Sequence, residues 1–275
     1  MTPTSTTSIT STTPTQRLDG LDRLLLILPT LAGLGLGLLA LFAAPLLARV
    51  TNYPSNDILI YWLAGAGTLG YGVALAIGLL QSDWTGLRFP IIAGLTANAL
   101  AVIAALIEVA QGRGENRPAL YLILLLSLLL ALCYLALLVR HLGAARPEPD
   151  ATAPWLVPFF IFGTIATLGT GLLGYFGVEL FKTVFGIDAV NPFIYRFLGA
   201  ATLGYGVMGI YQATSRRFAE LRLALVMGAL FNACALALGV LALVGGLPPL
   251  LPITLLFAPV ILSLGCGPAL VRRGR

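Results

Sequence analysis

Long apolar runs and short polar stretches alternate along the chain from about residue 24 onward. The runs extend from about Leu24 to Ala48, Ile58 to Leu80, Phe89 to Ala110, Ala119 to Val139, Trp155 to Phe181, Phe193 to Ala213, Leu223 to Val244 and Leu250 to Leu270. Each approaches or exceeds the ~20 residues a helix needs to cross ~30 Å of hydrocarbon. The polar stretches hold residues that stop helices and start turns, such as Asn52, Pro54, Ser55 and Asn56 in the first of them. The pattern predicts an all-α membrane protein with eight transmembrane helices. The first run exceeds the ~7 to 15 residue apolar region of a signal peptide, so it is expected to be retained as a helix.

The runs are related to one another. Ile60 to Val73, IYWLAGAGTLGYGV, recurs at Ile194 to Val207 as IYRFLGAATLGYGV, with ten of fourteen positions identical. The same step of 134 residues carries Gly94 to Gly228, Arg88 to Arg222, Asn98 to Asn232 and Pro118 to Pro252, and Gly35, Gly37 and Phe42 to Gly169, Gly171 and Phe176. A period this long means two copies of one structural unit. The expected architecture is two tandem four-helix bundles. An even number of helices per unit makes both units enter the membrane in the same direction, so a pseudo-twofold along the membrane normal is expected. Residues 1–20 form a Thr/Ser-rich tail, disordered because its composition cannot offset the entropy of ordering. Residues 21–140 make the first repeat, 141–154 a linker rich in Pro, Ala and charge, 155–271 the second repeat, and 272–275 a basic tail.

Composition agrees with the pattern: the chain is 58% hydrophobic and only 10% charged, against roughly 25% charge in soluble domains, which makes the lipid bilayer its first partner. Partner membrane subunits or a homo-oligomer are further candidates. A pI near 9.4 raises nucleic acid, but the basic residues are scattered over loops and tails with no interleaved aromatics, so no nucleic acid is expected. Eleven basic residues, among them Arg17, Arg23, Arg88, Arg140, Arg146 and Arg222, fall on the side holding both termini, against Arg49, Arg113, Arg117, Lys182 and Arg196 on the other. That imbalance predicts a multi-pass protein of the cell (inner) membrane with both termini cytoplasmic.

Candidate functional positions come from the repeat and from charges near the spans. Gly65, Ala66, Gly70 and Gly72, with Gly199, Ala200, Gly204 and Gly206, form small-xxx-small spacings that let helix backbones approach closely. Tyr71 and Tyr205 lie deeper than an aromatic belt, and either join that packing or face a ligand. Asn98 and Asn232 fall near the bilayer midplane, where an amide must find a partner. They serve as interhelical hydrogen bonds or as the lining of a midplane cavity between the halves. Glu108, Glu179, Lys182 and Arg196 gather toward the outer side without charged counterparts in the other copy. They are candidates for interfacial snorkelling or for an outward-facing polar cluster, with Glu179 and Lys182 pairing locally and Arg196 reaching Glu179 or Asp188.

Catalytic signatures are absent. His141, the single histidine, falls in the linker, which excludes His-based triads and zinc motifs. Cys133, Cys234 and Cys266 sit apart inside apolar runs and read as packing residues. Gly33, Gly35 and Gly37 alternate inside a span, in no nucleotide-loop context, and no Walker lysine is present. No catalytic residue, metal or cofactor is expected. Arg196 to Val207, RFLGAATLGYGV, resembles the R-x-x-G-A-x-x-L-G pattern of small uncharacterised bacterial four-helix membrane proteins, and four spans per unit are similar to the DoxX-like architecture. The resemblance implies a four-helix unit in a bacterial inner membrane; Trp62 replaces the arginine in the first copy. Three function classes follow. A structural or accessory membrane protein packing with lipids or subunits is first. A small-molecule or lipid binder or carrier with a midplane site is second, and a membrane enzyme with an outward polar pocket is third.

Overall fold

The computed structural model describes residues 17–51, 58–112, 117–144, 146, 155–186, 192–215, 217–246, 253–256 and 260–262. Its elements in chain order are α1 (Gly20–Phe42), α2 (Ala44–Thr51), α3 (Ile58–Gln81), α4 (Trp84–Ala110), α5 (Arg117–Arg140), α6 (Leu156–Phe176), α7 (Val178–Phe185), α8 (Pro192–Thr214) and α9 (Phe218–Val244). No strand occurs among the described residues. Seven of the helices, α1, α3, α4, α5, α6, α8 and α9, are long and apolar enough to cross a membrane. Of the eighth predicted helix, Leu250 to Leu270, residues 253–256 and 260–262 are helical and the remainder lies outside the described residues.

Two runs that the sequence reads as single helices are broken. The first, Leu24 to Ala48, starts earlier, at Gly20, and stops at Phe42; Ala43 leaves helical geometry at φ −134°. Pro45 accounts for the break, because in a continuous helix its ring would meet the Leu41 carbonyl and it has no N–H to donate there. Trp155 to Phe181 breaks in the same way at Gly177, and α7 ends on the left-handed Gly186. In α7 Val178, Phe181 and Phe185 turn inward, while Glu179 is exposed beside Lys182.

The start of α1 also differs from expectation. Residues 17–20, assigned by composition to the tail, are held in place. Leu18 is buried and its N–H donates to the Ser82 carbonyl at 3.2 Å. Asp19 and Asp22 form a reciprocal capping box on α1. Residues 1–16, 147–154 and 272–275 lie outside the described residues.

Packing follows the glycines. A Cβ on Gly33 would lie 2.7 Å from the Gly72 Cα, and one on Gly37 2.6 Å from the Leu69 nitrogen, so α1 rests on α3 backbone to backbone. A Cβ on Gly199 would likewise lie 2.6 Å from the Tyr175 nitrogen, so α8 rests on the backbone of α6. Close approach of this kind is how helices associate where lipid removes the hydrophobic drive. α3 then packs along α9, α8 along α4, and α5 along α4 and α1. Side chains such as Leu31, Leu122 and Ile165 face outward from α1, α5 and α6, giving the apolar surface that a bilayer covers. Arginines 17, 23, 88, 140 and 222 collect at one end of the bundle, here the basic end; α2 and α7 lie at the opposite end.

Candidate functional site

At the centre of the bundle the two tyrosines of the recurring signature exchange hydrogen bonds. The Tyr71 hydroxyl donates to the Ala201 carbonyl at 3.2 Å, and the Tyr205 hydroxyl to the Gly67 carbonyl at 2.9 Å. Their rings meet edge to face with centroids 5.1 Å apart. Gly70 and Gly204 make room for the exchange: a Cβ on Gly70 would strike the Tyr205 hydroxyl, and one on Gly204 the Tyr71 hydroxyl. Gly65 and Gly72 close on α1, and Gly206 on Leu168 of α6; Ala66 and Ala200 are buried. These small residues and both tyrosine hydroxyls therefore serve contacts between helices.

The two asparagines are not brought together. Asn98 donates to the Gly94 carbonyl of its own helix at 2.8 Å, whereas Asn232 lines a cavity and makes no hydrogen bond among the described residues. This cavity, about 250 Å³, lies among α6, α7, α8 and α9 in the C-terminal half. Among the described residues Leu63 is the N-terminal half's single contribution to it, so the described lining does not lie between the halves. The difference between the halves has a local cause. A Cβ on Gly94 would lie 2.6 Å from Tyr134 of α5, which fills the space over α4. Gly228, 134 residues on, has nothing within 4 Å. Position 268, 134 residues beyond Tyr134, is a proline and lies outside the described residues.

The cavity wall is apolar with a few neutral polar groups. Phe160, Leu198, Met208, Leu225 and Leu262 supply apolar surface, and Phe181 and Phe185 of α7 close it at the opposite end. Thr164, Thr167 and Thr170 line it from α6 and Thr202 from α8, each hydroxyl donating to a carbonyl one turn back at 2.7 to 2.9 Å. Tyr205 forms part of the wall with its hydroxyl already spent on Gly67. Gln212, near the end of α8, is 8% exposed and makes no hydrogen bond among the described residues. Among the described residues no charged side chain lines the cavity. The backbones of α6 and α9 stay apart, and the lining residue Ala229 is exposed, so the cavity has a side toward the lipid-facing surface.

The ionisable residues fall into separate groups. Arg196 pairs with Glu108 at 3.7 Å, joining α8 to α4, with Glu108 1% exposed. Lys182 pairs with Glu179 at 3.2 Å, and Glu179 forms no ion pair with Arg196. Asp188 lies outside the described residues. A cluster that sequence reasoning missed sits at the basic end. Asp22, buried on the first turn of α1, accepts from Arg140 Nε at 2.9 Å and lies 3.1 Å from His141 Nε2. The His141 ring stacks on Trp84 with centroids 4.0 Å apart, so this residue is part of the packed end and not of a free linker. Glu220, 3% exposed, accepts from the Ser215 hydroxyl at 2.9 Å and faces Arg88 at 3.7 Å. The signal available in the sequence was the placement of Asp22 and Glu220 one turn inside apolar helices.

Fold and cavity define a class: an all-α, multi-pass membrane protein with an apolar internal cavity. The chain matches no family model, no curated protein and no solved structure. Among the described residues no group of His, Cys, Asp and Glu could hold a metal ion. Cys133 and Cys234 are free thiols inside helices; Cys266 lies outside the described residues.

Proposed function

We propose that this protein is a membrane-embedded binder or carrier of a small, mainly apolar molecule, held among α6, α8 and α9. The observation that carries this reading is the cavity of about 250 Å³, apolar on most sides and provided with a few neutral hydrogen-bonding groups, the usual make-up of a small-molecule site. A structural role, first among the sequence expectations, accounts for the tyrosines and glycines, all of which go into helix contacts. It gives no reason for Gly228 to face open space while Gly94 is covered.

The proposal includes the repeat. α2 and α7, and likewise α4 and α9, have bounds exactly one step of 134 residues apart, and the hydrogen bonds of Tyr71 and Tyr205 are the same bond under that step. Two four-helix units related by a pseudo-twofold along the membrane normal account for both, with the last segment as the eighth span. In one unit Tyr134 covers Gly94, and in the other the space beside Gly228 is open. The basic end faces the cytoplasm in this arrangement.

Native mass spectrometry of gently solubilised protein tests the binding reading. The wild-type chain is expected to carry a stoichiometric small molecule. Gly228→Leu, which places a side chain into the cavity, is expected to fold and lose it. A folded wild type that carries nothing and takes up nothing from a total lipid extract sinks the proposal.

A further inference from the structure

Resting on the cavity reading above, we infer that the occupant is an uncharged molecule with a hydrocarbon body and a neutral oxygen group, a hydroxyl or a carbonyl, received by the Gln212 amide. Gln212 is more than nine-tenths buried, lines the cavity and has neither its donors nor its acceptor engaged among the described residues. Its amide atoms are not sealed inside the protein but open into the cavity, where they are free to pair with an occupant. Position 78, 134 residues earlier, is a glycine covered by Leu87, so the amide is peculiar to the half that is open. Asn232, midway along α9, adds a second unspent amide deeper in the same space. The threonines have given their protons to carbonyls one turn back and offer only lone pairs.

Charge is disfavoured by the same wall. With no ionised side chain on the lining among the described residues, a carboxylate, phosphate or ammonium held there would be desolvated without a counter-charge. The shape is elongated. Lining residues on α6 run from Phe159 to Gly174, which at 1.5 Å per residue is roughly 22 Å. Gln212 stands at the basic end of this length and the α7 phenylalanines at the other, so the oxygen group lies near the membrane surface and the hydrocarbon runs inward.

The test uses full-length protein in nanodiscs and a diazirine-bearing hexadecanol, with crosslinked peptides mapped and with hexadecanol, hexadecane and hexadecanesulfonate as competitors. Labelling of α6, α8 or α9 is expected, displaced about tenfold more effectively by the alcohol than by the alkane or the sulfonate. Gln212→Leu, or the near-isosteric Gln212→Met should the first not fold, is expected to bring alcohol and alkane level. A sulfonate that competes as well as the alcohol, or a variant that keeps the alcohol preference, overturns the head-group assignment and leaves the cavity reading standing. Folded protein that no chain labels on these helices overturns both.

Discussion

Gly70 and Gly204 occupy matching places in the recurring signature, yet their surroundings make different demands. A Cβ on Gly70 would meet the Tyr205 hydroxyl, with the next atom, the Met227 carbonyl oxygen, at 3.1 Å; a Cβ on Gly204 would meet the Tyr71 hydroxyl and also the Ala93 carbonyl oxygen at 2.6 Å. Each Gly→Ala change is expected to cost about 1–3 kcal/mol through overpacking. The rescue differs: Tyr205→Phe restores most of the loss in Gly70→Ala, whereas Tyr71→Phe leaves Gly204→Ala destabilised because the backbone carbonyl remains. Denaturation in mixed micelles measures both, and equal rescue at the two sites would contradict the geometry. Taken alone, each Tyr→Phe removes one hydrogen bond worth ~0.6 kcal/mol on average in a membrane interior. Gly94 and Gly228 form the second contrast. Gly94→Ala drives a methyl into Tyr134 at 2.6 Å, while Gly228→Ala meets nothing within 4 Å. The first is expected to lower the unfolding midpoint and the second to leave it level or raise it slightly, by at most about 1 kcal/mol from helix propensity.

At the level of elements, α1 and α5 are fastened at the basic end by one buried carboxylate. Asp22 is 2% exposed and closes the α1 capping box while it accepts from Arg140 and faces His141. Removing both basic partners leaves a buried charge uncompensated, whereas removing the charge as well returns the site to a neutral hydrogen-bonded one. Arg140→Ala with His141→Ala is therefore expected to lower thermal stability, and Asp22→Asn added to that pair to recover part of the loss. An additive further loss would mean that Asp22 is stabilised from elsewhere. This clamp was invisible in the sequence because its partners are 118 and 119 residues apart, and no local pattern pairs them. The long helices were legible, since run length is a local property, and so were the glycine contacts, since small-xxx-small spacing names the face that packs. The breaks at Ala43 and Gly177 were concealed: hydrophobicity continues through them into α2 and α7, and Pro45 and Gly177 were the only signs. The cavity had one sign as well, the replacement of Tyr134 by a proline at the matching position, but a missing ring in one helix does not say whether another side chain fills its place.

For the molecule as a whole, the central helices α3, α4, α8 and α9 pack on one another across the halves more than within them. α3 and α4 are joined by a turn at Ser82 and Asp83, yet α3 packs more extensively along α9, and α4 more extensively along α8. The two arginines related by the 134-residue step also cross over: Arg88 faces Glu220 of α9 at 3.7 Å, and Arg222 faces Asp83 at the start of α4 at 3.6 Å. With the tyrosine exchange at the centre and the Arg196–Glu108 pair toward the opposite end, each half receives polar contacts from the other at three depths. Residues such as Leu75, Leu87, Tyr205 and Leu223 belong to one shared hydrophobic core. A half expressed alone would present the faces of its central helices, with the Gly67 and Ala201 carbonyls and the tyrosine hydroxyls, to lipid that cannot hydrogen-bond them. Cutting the chain between residues 150 and 151 separates covalent continuity from this packing. Residues 1–150 and 151–275 are expected to be degraded or aggregated when produced singly, and to co-purify as a 1:1 protease-resistant complex when produced together. Tyr71→Leu with Tyr205→Leu in the co-expressed pieces is expected to weaken that complex more than the same changes destabilise the intact chain, because covalent continuity holds the two parts at high effective concentration. If either piece alone yields a monodisperse, protease-resistant protein, the halves are independent bundles, and the crossed contacts are a consequence of docking instead of a condition for folding.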